Sequence, residues 1–431
     1  MQIILAIVAL SFLIIVHEFG HFIVAKLSGI KVHEFSLFMG PKLFGVMKGE
    51  TLYSVRLIPL GGFVRMEGEE QASEDERAFN RKPLLVRAAV IAAGPVMNLI
   101  VAVVIIAVIT SFTGFNTTKV SNVFKGSPAY NSGLKAGDVL VSYDGKRVYQ
   151  PMDIFSFLFA SKGKTAAAEI LRDGKTLSLS ITPEVIQGNR YILGFGAKEP
   201  YGENSNVVSS VGQNTPAEKA GLKPGDEITK LNDKTISTKQ DISNYLKENR
   251  DKPVAITVLR NGSAVRLNEI VPVQEKGQEQ YDLGVLFSHE YGSGFTVVKQ
   301  SFFYCYSTAR SVYYSLAWLI TGTVSLNQMM GPVGIVSTIG DVVKQSPTVL
   351  DIVLNLLSIT AFISINLGIF NLIPFPALDG SKLLLLLIEG IRRKAIPPEK
   401  EAFISMVGLV LLILLMIFAT SNDIMRIFGK G

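Results

Sequence analysis

The stretch His17-Glu18-Phe19-Gly20-His21 constrains this chain most, because it places three ionisable side chains within an apolar run. Residues 3–16 before it carry no charge, which is typical of a helix that enters lipid. Ionisable groups at such a depth are costly, so we interpret the stretch as a functional site. On a helix, His17 and His21 share one face and Glu18 projects beside them. Two histidines so placed can bind one Zn²⁺, and the carboxylate can accept a proton from water.

The composition is that of a membrane protein with a soluble portion, since 48% of the residues are hydrophobic and only 18% are charged. The net charge of +6 does not indicate nucleic acid, because membrane proteins carry Lys and Arg to set their topology. The single cysteine, Cys305, excludes an intramolecular disulfide.

Four segments are predicted to span the bilayer: 3–25, 84–112, 352–373 and 402–420. Lys and Arg are frequent in 26–87 but absent before it, so the first helix is predicted to run from outside to inside. The long segment between the second and third spans is then outside. Region 311–340 begins with an aromatic, apolar run, but polar residues and Gly331-Pro332 interrupt it. For 311–330 we favour an interfacial or partly dipping position over a fifth span.

The outside segment contains a tandem repeat, in which residues 127–138 match 215–226 and residues 171–174 match 259–262 at the same offset. Each unit mixes short strands, an N-capped short helix and a hairpin turn. The repeats resemble bacterial, circularly permuted PDZ domains, in which a glycine loop captures the C-terminal carboxylate of a peptide. The loop residues by this resemblance are Leu193, Gly194 and Phe195 in one repeat and Leu283, Gly284 and Val285 in the other. The alternative is a steric spacer with an unused groove.

Two histidines make an incomplete site, because catalytic zinc normally has three protein ligands. The third span ends in Asn371-Leu372-Ile373-Pro374-Phe375-Pro376-Ala377-Leu378-Asp379-Gly380, where an aspartate follows a Pro-x-Pro break. Such a break frees backbone carbonyls, which a membrane tolerates only where protein or water satisfies them. His17 lies about 24 Å along its helix, near the inner face. Asp379, at the inner end of the third span, is predicted to meet it there.

Together these motifs resemble an intramembrane site-2 protease of the RseP type. Further matches are Ala93-Gly94-Pro95 with Asn98, Pro59-Leu60-Gly61-Gly62, and Gly331-Pro332-Val333-Gly334. The resemblance implies zinc ligation by His17, His21 and Asp379, with Glu18 as general base. It also implies support of the substrate or transition state by Asn371, Pro374, Pro376 and Asn98. Segment 44–66 corresponds to a membrane re-entrant β-hairpin that holds the substrate extended, whereas Ser381-Lys382 departs from the usual pattern.

The predicted fold is a multi-pass α-helical membrane protein with four transmembrane helices, a re-entrant β-hairpin and two extracytoplasmic, circularly permuted PDZ domains of α+β class. Residues 1–114 hold the first two helices and the hairpin, and 349–431 hold the last two helices with the Asp379 motif. The predicted PDZ domains are 115–199 and 200–290. Residues 291–348 are predicted to form an interfacial, amphipathic linking segment.

The resemblance implies regulated intramembrane proteolysis of single-pass membrane proteins, namely anti-sigma factors after a first extracytoplasmic cut and remnant signal peptides. It implies a bacterial cytoplasmic (inner) membrane location, with the active site near the cytoplasmic side, and C-terminal peptides as ligands of the PDZ grooves. One alternative is a non-proteolytic PDZ scaffold in the membrane, which the intact Asp379 motif disfavours. A metal transporter is the other, but it predicts ionisable residues along the third and fourth spans, which lack them.

Overall fold

Four helices that are long and apolar enough to cross a membrane organise the structure, a computed structural model. It describes residues 2–69, 71–186, 189–197, 206–212, 215–276, 280–324, 326, 329–346, 348–394 and 396–428. The helices are α1 (Gln2–Leu27), α2 (Leu84–Thr113), α3 (Pro128–Asn131), α4 (Pro151–Ser161), α5 (Pro216–Ala220), α6 (Lys239–Asn249), α7 (Phe295–Ile320), α8 (Pro332–Gln345), α9 (Val349–Leu372), α10 (Asp379–Arg392) and α11 (Pro398–Phe428). The four apolar helices are α1, α2, α9 and α11, so the predicted spans are confirmed as helices of sufficient length.

The strands fall into a hairpin after α1 and two units between α2 and α7. They are β1 (Val32–Lys48), β2 (Thr51–Met66), β3 (Phe115–Val123), β4 (Val139–Tyr143), β5 (Lys146–Arg147), β6 (Ala166–Arg172), β7 (Lys175–Ile181), β8 (Glu184–Ile186), β9 (Asn189–Ile192), β10 (Phe195–Ala197), β11 (Val208–Val211), β12 (Glu227–Leu231), β13 (Lys234–Thr235), β14 (Ile256–Arg260), β15 (Ser263–Arg266), β16 (Val273–Lys276), β17 (Gln280–Asp282) and β18 (Val285–Glu290).

Glycines let α1, α2 and α9 approach one another closely. A Cβ added to Gly20 of α1 would lie 2.3 Å from the backbone oxygen of Ala93 in α2. A Cβ added to Gly368 of α9 would lie 3.0 Å from the backbone oxygen of Pro95. Small residues at such contacts are the usual means by which helices pack in lipid. The three helices therefore meet close to the histidine pair.

The predicted β-hairpin is larger than expected and folds back on itself. Residues 34–37 of β1 pair with both 52–55 and 62–65 of β2, and residues 42–48 pair with 51–56. The order across the sheet is therefore 42–48, 51–56, 32–39 and 58–66. The hairpin begins at Val32 instead of 44, because Glu34 and Ser36 gain partners that make this polar stretch a stable strand.

Glu34 connects the strand segments of this hairpin. It is only 2% exposed, and its Oε1 accepts hydrogen bonds from Ser54 Oγ at 2.6 Å and from Arg56 Nη2 at 2.8 Å. Arg65, from the last segment, lies 3.6 Å from its other oxygen. A buried carboxylate is stable only when it is paired and hydrogen-bonded in this way. This network holds the 51–56 and 58–66 segments on either side of 32–39.

The two repeats share one ion-pair arrangement, which explains their matching sequence. In the first, Arg172 donates to both oxygens of Asp138, at 2.7 and 2.6 Å, and to the backbone oxygen of Gly133. In the second, Arg260 donates to Asp226 at 2.7 Å and to the backbone oxygen of Gly221. Each aspartate therefore ties the turn after the short helix to a central strand.

We expect the Asp226–Arg260 pair to stabilise the second repeat in a pH-dependent way. Hydrogen bonding from Arg260 holds the pKa of Asp226 below its ordinary value. The contribution is therefore complete above about pH 4 and is lost as the pH falls through the lowered value. Arg260→Met should lower the free energy of unfolding by roughly 2–4 kcal/mol at pH 7, with a smaller difference in acid. Amide hydrogen exchange of β12 and β14 in the full chain measures it.

The matched control for that change is Arg266→Met. Arg266 lies 3.9 Å from Glu269 in a pair whose side chains are mostly exposed. Exposed pairs contribute little, so the change should be below about 0.5 kcal/mol. Equal effects of the two substitutions would contradict the stabilising role of the buried pair.

The connectivity of the repeats corrects the predicted division into 115–199 and 200–290. β18 pairs with β3, and β17 pairs with β8, so the first unit comprises β3–β8 together with β17 and β18. β9 pairs with β16, and the second unit, β9–β16, is inserted between them. Leu193 is buried in the core of the second unit and Leu283 in that of the first, the reverse of the prediction. The predicted boundary at 199 and 200 lies outside the described residues.

α7 joins the first unit to the apolar helices. On one face, Ser301 Oγ lies 3.3 Å from Thr110 Oγ1 of α2, and Cys305 is buried between α2 and α9. On another, Arg310 forms a 2.6 Å ion pair with Asp153 of α4. The start of segment 311–330 is thus the end of a helix that begins at Phe295, and it is not one of the four apolar helices. Its interfacial position stays a prediction.

α8 is held against the end of α11 by one carboxylate, which accounts for the Gly331-Pro332-Val333-Gly334 motif. The amides of Gly331 and Gly334 donate to Asp423 at 3.1 and 2.7 Å. A Cβ at Gly331 would lie 2.8 Å from the backbone of Ala419. A carboxylate at a helix N-terminus is favourable because it pairs with free amides and with the helix dipole. The glycines therefore allow α8 and α11 to touch.

Candidate metal centre

Three side chains from two separate parts of the chain converge among α1, α2 and the start of α10. His21 follows His17 by one turn of α1, and their Nε2 atoms are 3.2 Å apart. Oδ2 of Asp379 lies 3.0 Å from Nε2 of His17 and 3.4 Å from Nε2 of His21. The three donor atoms lie within 4.8 Å of one another, and this is the one such group found among the described residues. The predicted set is brought together.

The short connection between α9 and α10 positions Asp379. α9 ends at Leu372, Ala377 has a φ of +74°, and α10 begins at Asp379 itself. A Cβ at Gly380 would lie 2.2 Å from the backbone oxygen of Ile373, so only glycine allows this tight return. Because Asp379 is in the first turn of α10, the helix dipole favours its negative charge.

α2 supplies the wall behind the histidines through Ala93-Gly94-Pro95. A Cβ at Gly94 would lie 2.4 Å from Nε2 of His21 and 2.8 Å from Nε2 of His17, so a larger residue would collide with both rings. Nδ1 of His21 lies 2.8 Å from the backbone oxygen of Val90 and donates to it. That bond leaves Nε2 of His21 free to ligate, as is usual for metal-binding histidines.

Asn98, on the same face of α2, holds the other histidine. Its side-chain amide is fully buried and lies 3.1 Å from Nδ1 of His17. A 180° rotation of the amide exchanges Nδ2 with Oδ1, which otherwise has no partner, and lets Oδ1 accept the Nδ1 hydrogen of His17. Ser364 of α9 donates to the Asn98 backbone oxygen at 2.8 Å. Asn98 thus contacts the ring of His17, and its predicted support of substrate stays a prediction.

The donor set fits a zinc ion. With Nδ1 of His17 and Nδ1 of His21 donating to α2, both Nε2 atoms present lone pairs to one another. Oδ2 of Asp379 is buried and has no hydrogen-bond partner among the described residues. Converging lone pairs repel unless a cation lies between them. Two imidazole nitrogens and a carboxylate oxygen, with room for water, form the usual ligand set of catalytic zinc.

A cavity of about 240 Å³ opens beside the cluster. Glu18 lines it together with Phe63 and Val64 of β2 and with the three proposed ligands. A Cβ added to Gly62 would lie 3.8 Å from Cγ of Glu18, which places the hairpin directly against it. Ser11 of α1 donates to the backbone oxygen of Pro59 at 2.7 Å and fixes this contact.

Two residues of this cavity escaped the sequence prediction. Lys382 and Glu69 both line it, and their Nζ and Oε1 atoms are 3.2 Å apart. Glu69 lies in a charged, polar stretch that has no motif, and the sequence marks Lys382 only as a departure from the family pattern. The signal that could have found Lys382 is its position one helical turn after Asp379.

The remaining predicted residues lie elsewhere. Asn371 is in the last turn of α9, and Pro374 and Pro376 lie in the connection to α10; none of them lines the cavity. A Cβ at Gly408 of α11 would lie 2.2 Å from the backbone oxygen of Pro376, so this connection packs against the fourth apolar helix. The loops at Leu193–Phe195 and Leu283–Val285 belong to the two units between α2 and α7 and are not part of the cluster.

Comparison with known proteins covers nearly the whole chain. The model of peptidase family M50 matches residues 5–415. The regulator of sigma-W protease RasP from Bacillus subtilis is 30% identical over 435 residues, which cover 96% of each chain. Zinc metalloprotease RasP from Oceanobacillus iheyensis is 32% identical, covering 96% of this chain and 97% of its own. Zinc metalloprotease RasP from Shouchella clausii is 31% identical and is matched over 100% of both chains.

Proposed function

Because the chain belongs to peptidase family M50 and is a membrane zinc metalloprotease, we propose that it cleaves peptide bonds within the membrane-spanning segments of single-pass membrane proteins. The observation that carries this proposal is the His17–His21–Asp379 cluster, since two of its members lie inside an apolar helix. Ionisable groups at that depth in a membrane are energetically unfavourable, and a protease that acts on soluble chains does not need them there.

Each residue of the cluster has a role in the proposal. His17, His21 and Asp379 hold the zinc, with Val90 and Asn98 of α2 orienting the imidazoles. Zinc bound there polarises a peptide carbonyl and makes a nearby water more acidic. Glu18, in the adjoining cavity, accepts the proton of the attacking water and passes it to the leaving amine nitrogen.

The substrate must be extended when it reaches Glu18, because a helix hides its carbonyls in its own hydrogen bonds. The 58–66 segment of β2 has one edge paired with 32–39. No strand among the described residues pairs with its other edge, and Phe63 and Val64 border the cavity. An unwound segment that adds to this edge as a further strand regains hydrogen bonds that it lost in lipid. Arg56, 4.9 Å from the Phe63 ring centroid, supports the edge.

Substrate support beyond the edge strand is proposed for Asn371, Pro374 and Pro376. They lie where α9 ends, and their position just before Asp379 along the chain supports such a role. The resemblance of this motif to that of site-2 proteases implies that an asparagine at this place supports the substrate or the transition state. We assign that role to Asn371.

The protein is proposed to lie in the bacterial cytoplasmic membrane with its catalytic cluster near the cytoplasmic side. Lys26, at the end of α1, and the basic residues of α10 support this orientation by the positive-inside rule. Both units between α2 and α7 are then outside, where we propose that they act as PDZ domains that filter or read substrates. Anti-sigma factors trimmed by a first cut and remnant signal peptides are the proposed substrates, and the name of the Bacillus subtilis relative, a sigma-W regulator, agrees with the former.

Cleavage inside an apolar segment is the test of this function. A purified single-pass reporter, placed with the protein in liposomes, should be cut within its membrane-spanning sequence, as read by the masses of the products. A Gly-Pro pair in that sequence should speed the reaction, since proline costs a helix about 3 kcal/mol and eases unwinding. A uniform Leu-rich segment is the matched control. Cuts confined to the flanking water-exposed sequence would overturn the intramembrane assignment and leave family membership untouched.

A further inference from the structure

Lys382 lines the cavity beside the His17–His21–Asp379 cluster. It follows Asp379 by three residues at the start of α10, so the two side chains share one face of that helix. Apart from the two histidines, it is the one basic side chain among the described residues that line the cavity. The roles proposed above use the cluster and Glu18, and they leave this cation unassigned.

Glu69 holds the ammonium group of Lys382 in place. Its Oε1 accepts a hydrogen bond from Lys382 Nζ at 3.2 Å. The turn that carries Glu69 comes directly after β2 and is tightly packed. Gly68 in that turn has a φ of +73°, and a Cβ there would lie 2.1 Å from Oδ1 of Asn80 and 2.7 Å from Cβ of Ala78. Because this turn has little room to shift, Glu69 determines where the ammonium group lies relative to β2.

Two of the three N–H groups of Lys382 are available to a ligand. An ammonium group has three donors, and among the described residues Glu69 is the one acceptor that takes a hydrogen bond from it. Lys382 and Glu69 also line an adjoining cavity, which contains a second cation, Arg87. Arg87, however, donates to both carboxylate oxygens of Glu389. Lys382 is therefore the cation whose donors a substrate in the catalytic cavity can reach.

The proposed reaction needs a donor of this kind. Attack of water on a peptide carbonyl places a negative charge on the carbonyl oxygen, and donors arranged to meet that charge usually make the largest single contribution to such catalysis. Glu18 cannot be this donor, because a general base is an ionised carboxylate when attack begins and can then only accept. Asn371 does not line the cavity. Lys382 does line it and carries the charge opposite to that of the developing oxyanion.

We propose that Lys382 is a catalytic residue, which donates a hydrogen bond to the carbonyl oxygen of the scissile peptide as that oxygen becomes negatively charged. Glu69 is the positioning residue that holds Lys382 for this contact. Glu18 takes the proton of the attacking water, the new C–O bond forms, and the carbonyl electron pair moves to the oxygen that Lys382 contacts. That pair returns as the C–N bond breaks, and the leaving nitrogen takes the proton from Glu18. Lys382 keeps its own protons throughout. The inference rests on the proposed function and adds to it the group that meets the developing charge.

Binding of two labelled peptide analogues to the full-length, zinc-loaded protein in nanodiscs tests this role without turnover. Both analogues copy the sequence at which the reporter is cut. One has a phosphinic group in place of the scissile peptide bond, and the other has a ketomethylene group. The phosphinic group bears a negative charge on a tetrahedral centre, as the transition state does, whereas the ketomethylene group keeps the neutral carbonyl of the substrate. Fluorescence anisotropy measures the affinity of each.

Lys382→Met should weaken binding of the phosphinic analogue by about 10²-fold or more, because it removes the donor that meets the charged oxygen. Binding of the ketomethylene analogue should change by less than about threefold, since a neutral carbonyl gains little from that donor. In reporter cleavage, kcat should fall by about 10²- to 10³-fold with little change in KM. Lys382→Arg keeps a cationic donor and should recover most of the phosphinic binding. Lys26→Met is the matched control, because Lys26 pairs with Glu50 at 2.9 Å and does not line the cavity, and it should leave both affinities unchanged.

Glu69→Ala separates the donor from its support. The ammonium group stays in the cavity without a fixed partner, so the loss of phosphinic binding should be smaller than in Lys382→Met. Equal losses in the two variants would overturn the proposal, because they would show that Lys382 only fastens the turn after β2 to α10. Equal weakening of both analogues by Lys382→Met would overturn it as well, and so would unchanged binding of the phosphinic analogue.

Two further measurements separate this inference from the claims on which it rests. Elemental analysis should find zinc retained in Lys382→Met, and its loss would count against the proposal, because the lysine would then act by holding the metal site together. Reporter cuts confined to the flanking water-exposed sequence in the unaltered protein would count against the proposed function. Intramembrane cleavage at an unchanged rate in Lys382→Met would count against this inference alone.

Discussion

Glu18→Gln is expected to lower the rate of reporter cleavage by about 10²- to 10⁴-fold, the range that general-base catalysis contributes. Glutamine keeps the size of the side chain but cannot accept a proton at neutral pH. Glu18 lines the cavity beside the His17–His21–Asp379 cluster and is not one of its members, so zinc should stay bound. We expect kcat to fall with little change in KM, because the lost interaction belongs to the transition state. Initial rates in liposomes measure both.

Glu50→Gln is the matched control for that substitution. Glu50 lies in the turn between β1 and β2, where it pairs with Lys26 at 2.9 Å and with Arg77 at 2.8 Å. Removing a carboxylate from this partly exposed pair should leave the rate within about twofold. If Glu18→Gln cleaved the reporter as fast as the unaltered protein does, Glu18 would not be the general base.

His17→Ala and Asp379→Ala are expected to lose the bound zinc, with content falling from about one ion per chain to a small fraction of that. Each substitution removes one of three converging donors, and the two that remain hold a cation poorly. Elemental analysis of the purified variants measures the content. Asn98→Leu should keep the ion but weaken its affinity by about 10–100-fold, because His17 loses the partner that orients it. Competition with a coloured chelator reads that affinity.

Glu389→Gln is the control for the zinc measurements, since it changes another carboxylate of α10 that lies outside the cluster. Glu389 pairs with Arg87 of α2 at 2.5 Å, so its loss affects packing between α2 and α10 and not a ligand. We expect its zinc content to be unchanged. Unaltered zinc in both His17→Ala and Asp379→Ala would refute the proposed ligand set, provided that circular dichroism shows both variants to be folded.

Local periodicity accounts for what could be predicted of the site. Two histidines four residues apart necessarily share a face of a helix, and an apolar run long enough for lipid necessarily forms one. Asp379 was found by a second local rule, because a Pro-x-Pro break ends a helix at a known depth. The structure brings its Oδ2 to 3.0 Å from Nε2 of His17, as that depth requires. None of these inferences needs knowledge of how distant segments pair.

Residues that act through distant contacts could not be read in the same way. Gly94 matters because it has no side chain where both imidazoles lie, and a missing atom leaves no pattern in the sequence. Glu69 lies among charged, polar residues that resemble a solvated surface, yet Lys382 of α10 draws it to the cavity. The sequence predicts that Asn98 supports the substrate, but it does not show that its amide lies 3.1 Å from Nδ1 of His17.

Spacing along one continuous segment is enough to predict the four apolar helices, the histidine pair with its carboxylate, and the presence of two equivalent units. The insertion of the second unit into the first, and the place of Leu283 in the core of the unit that holds residues 127–138, could be read only from the folded chain. Two consecutive units and two units of which one is inserted into the other would be built from the same short strands. The choice between them rests on long-range pairing of β18 with β3 and of β9 with β16, which no local rule encodes.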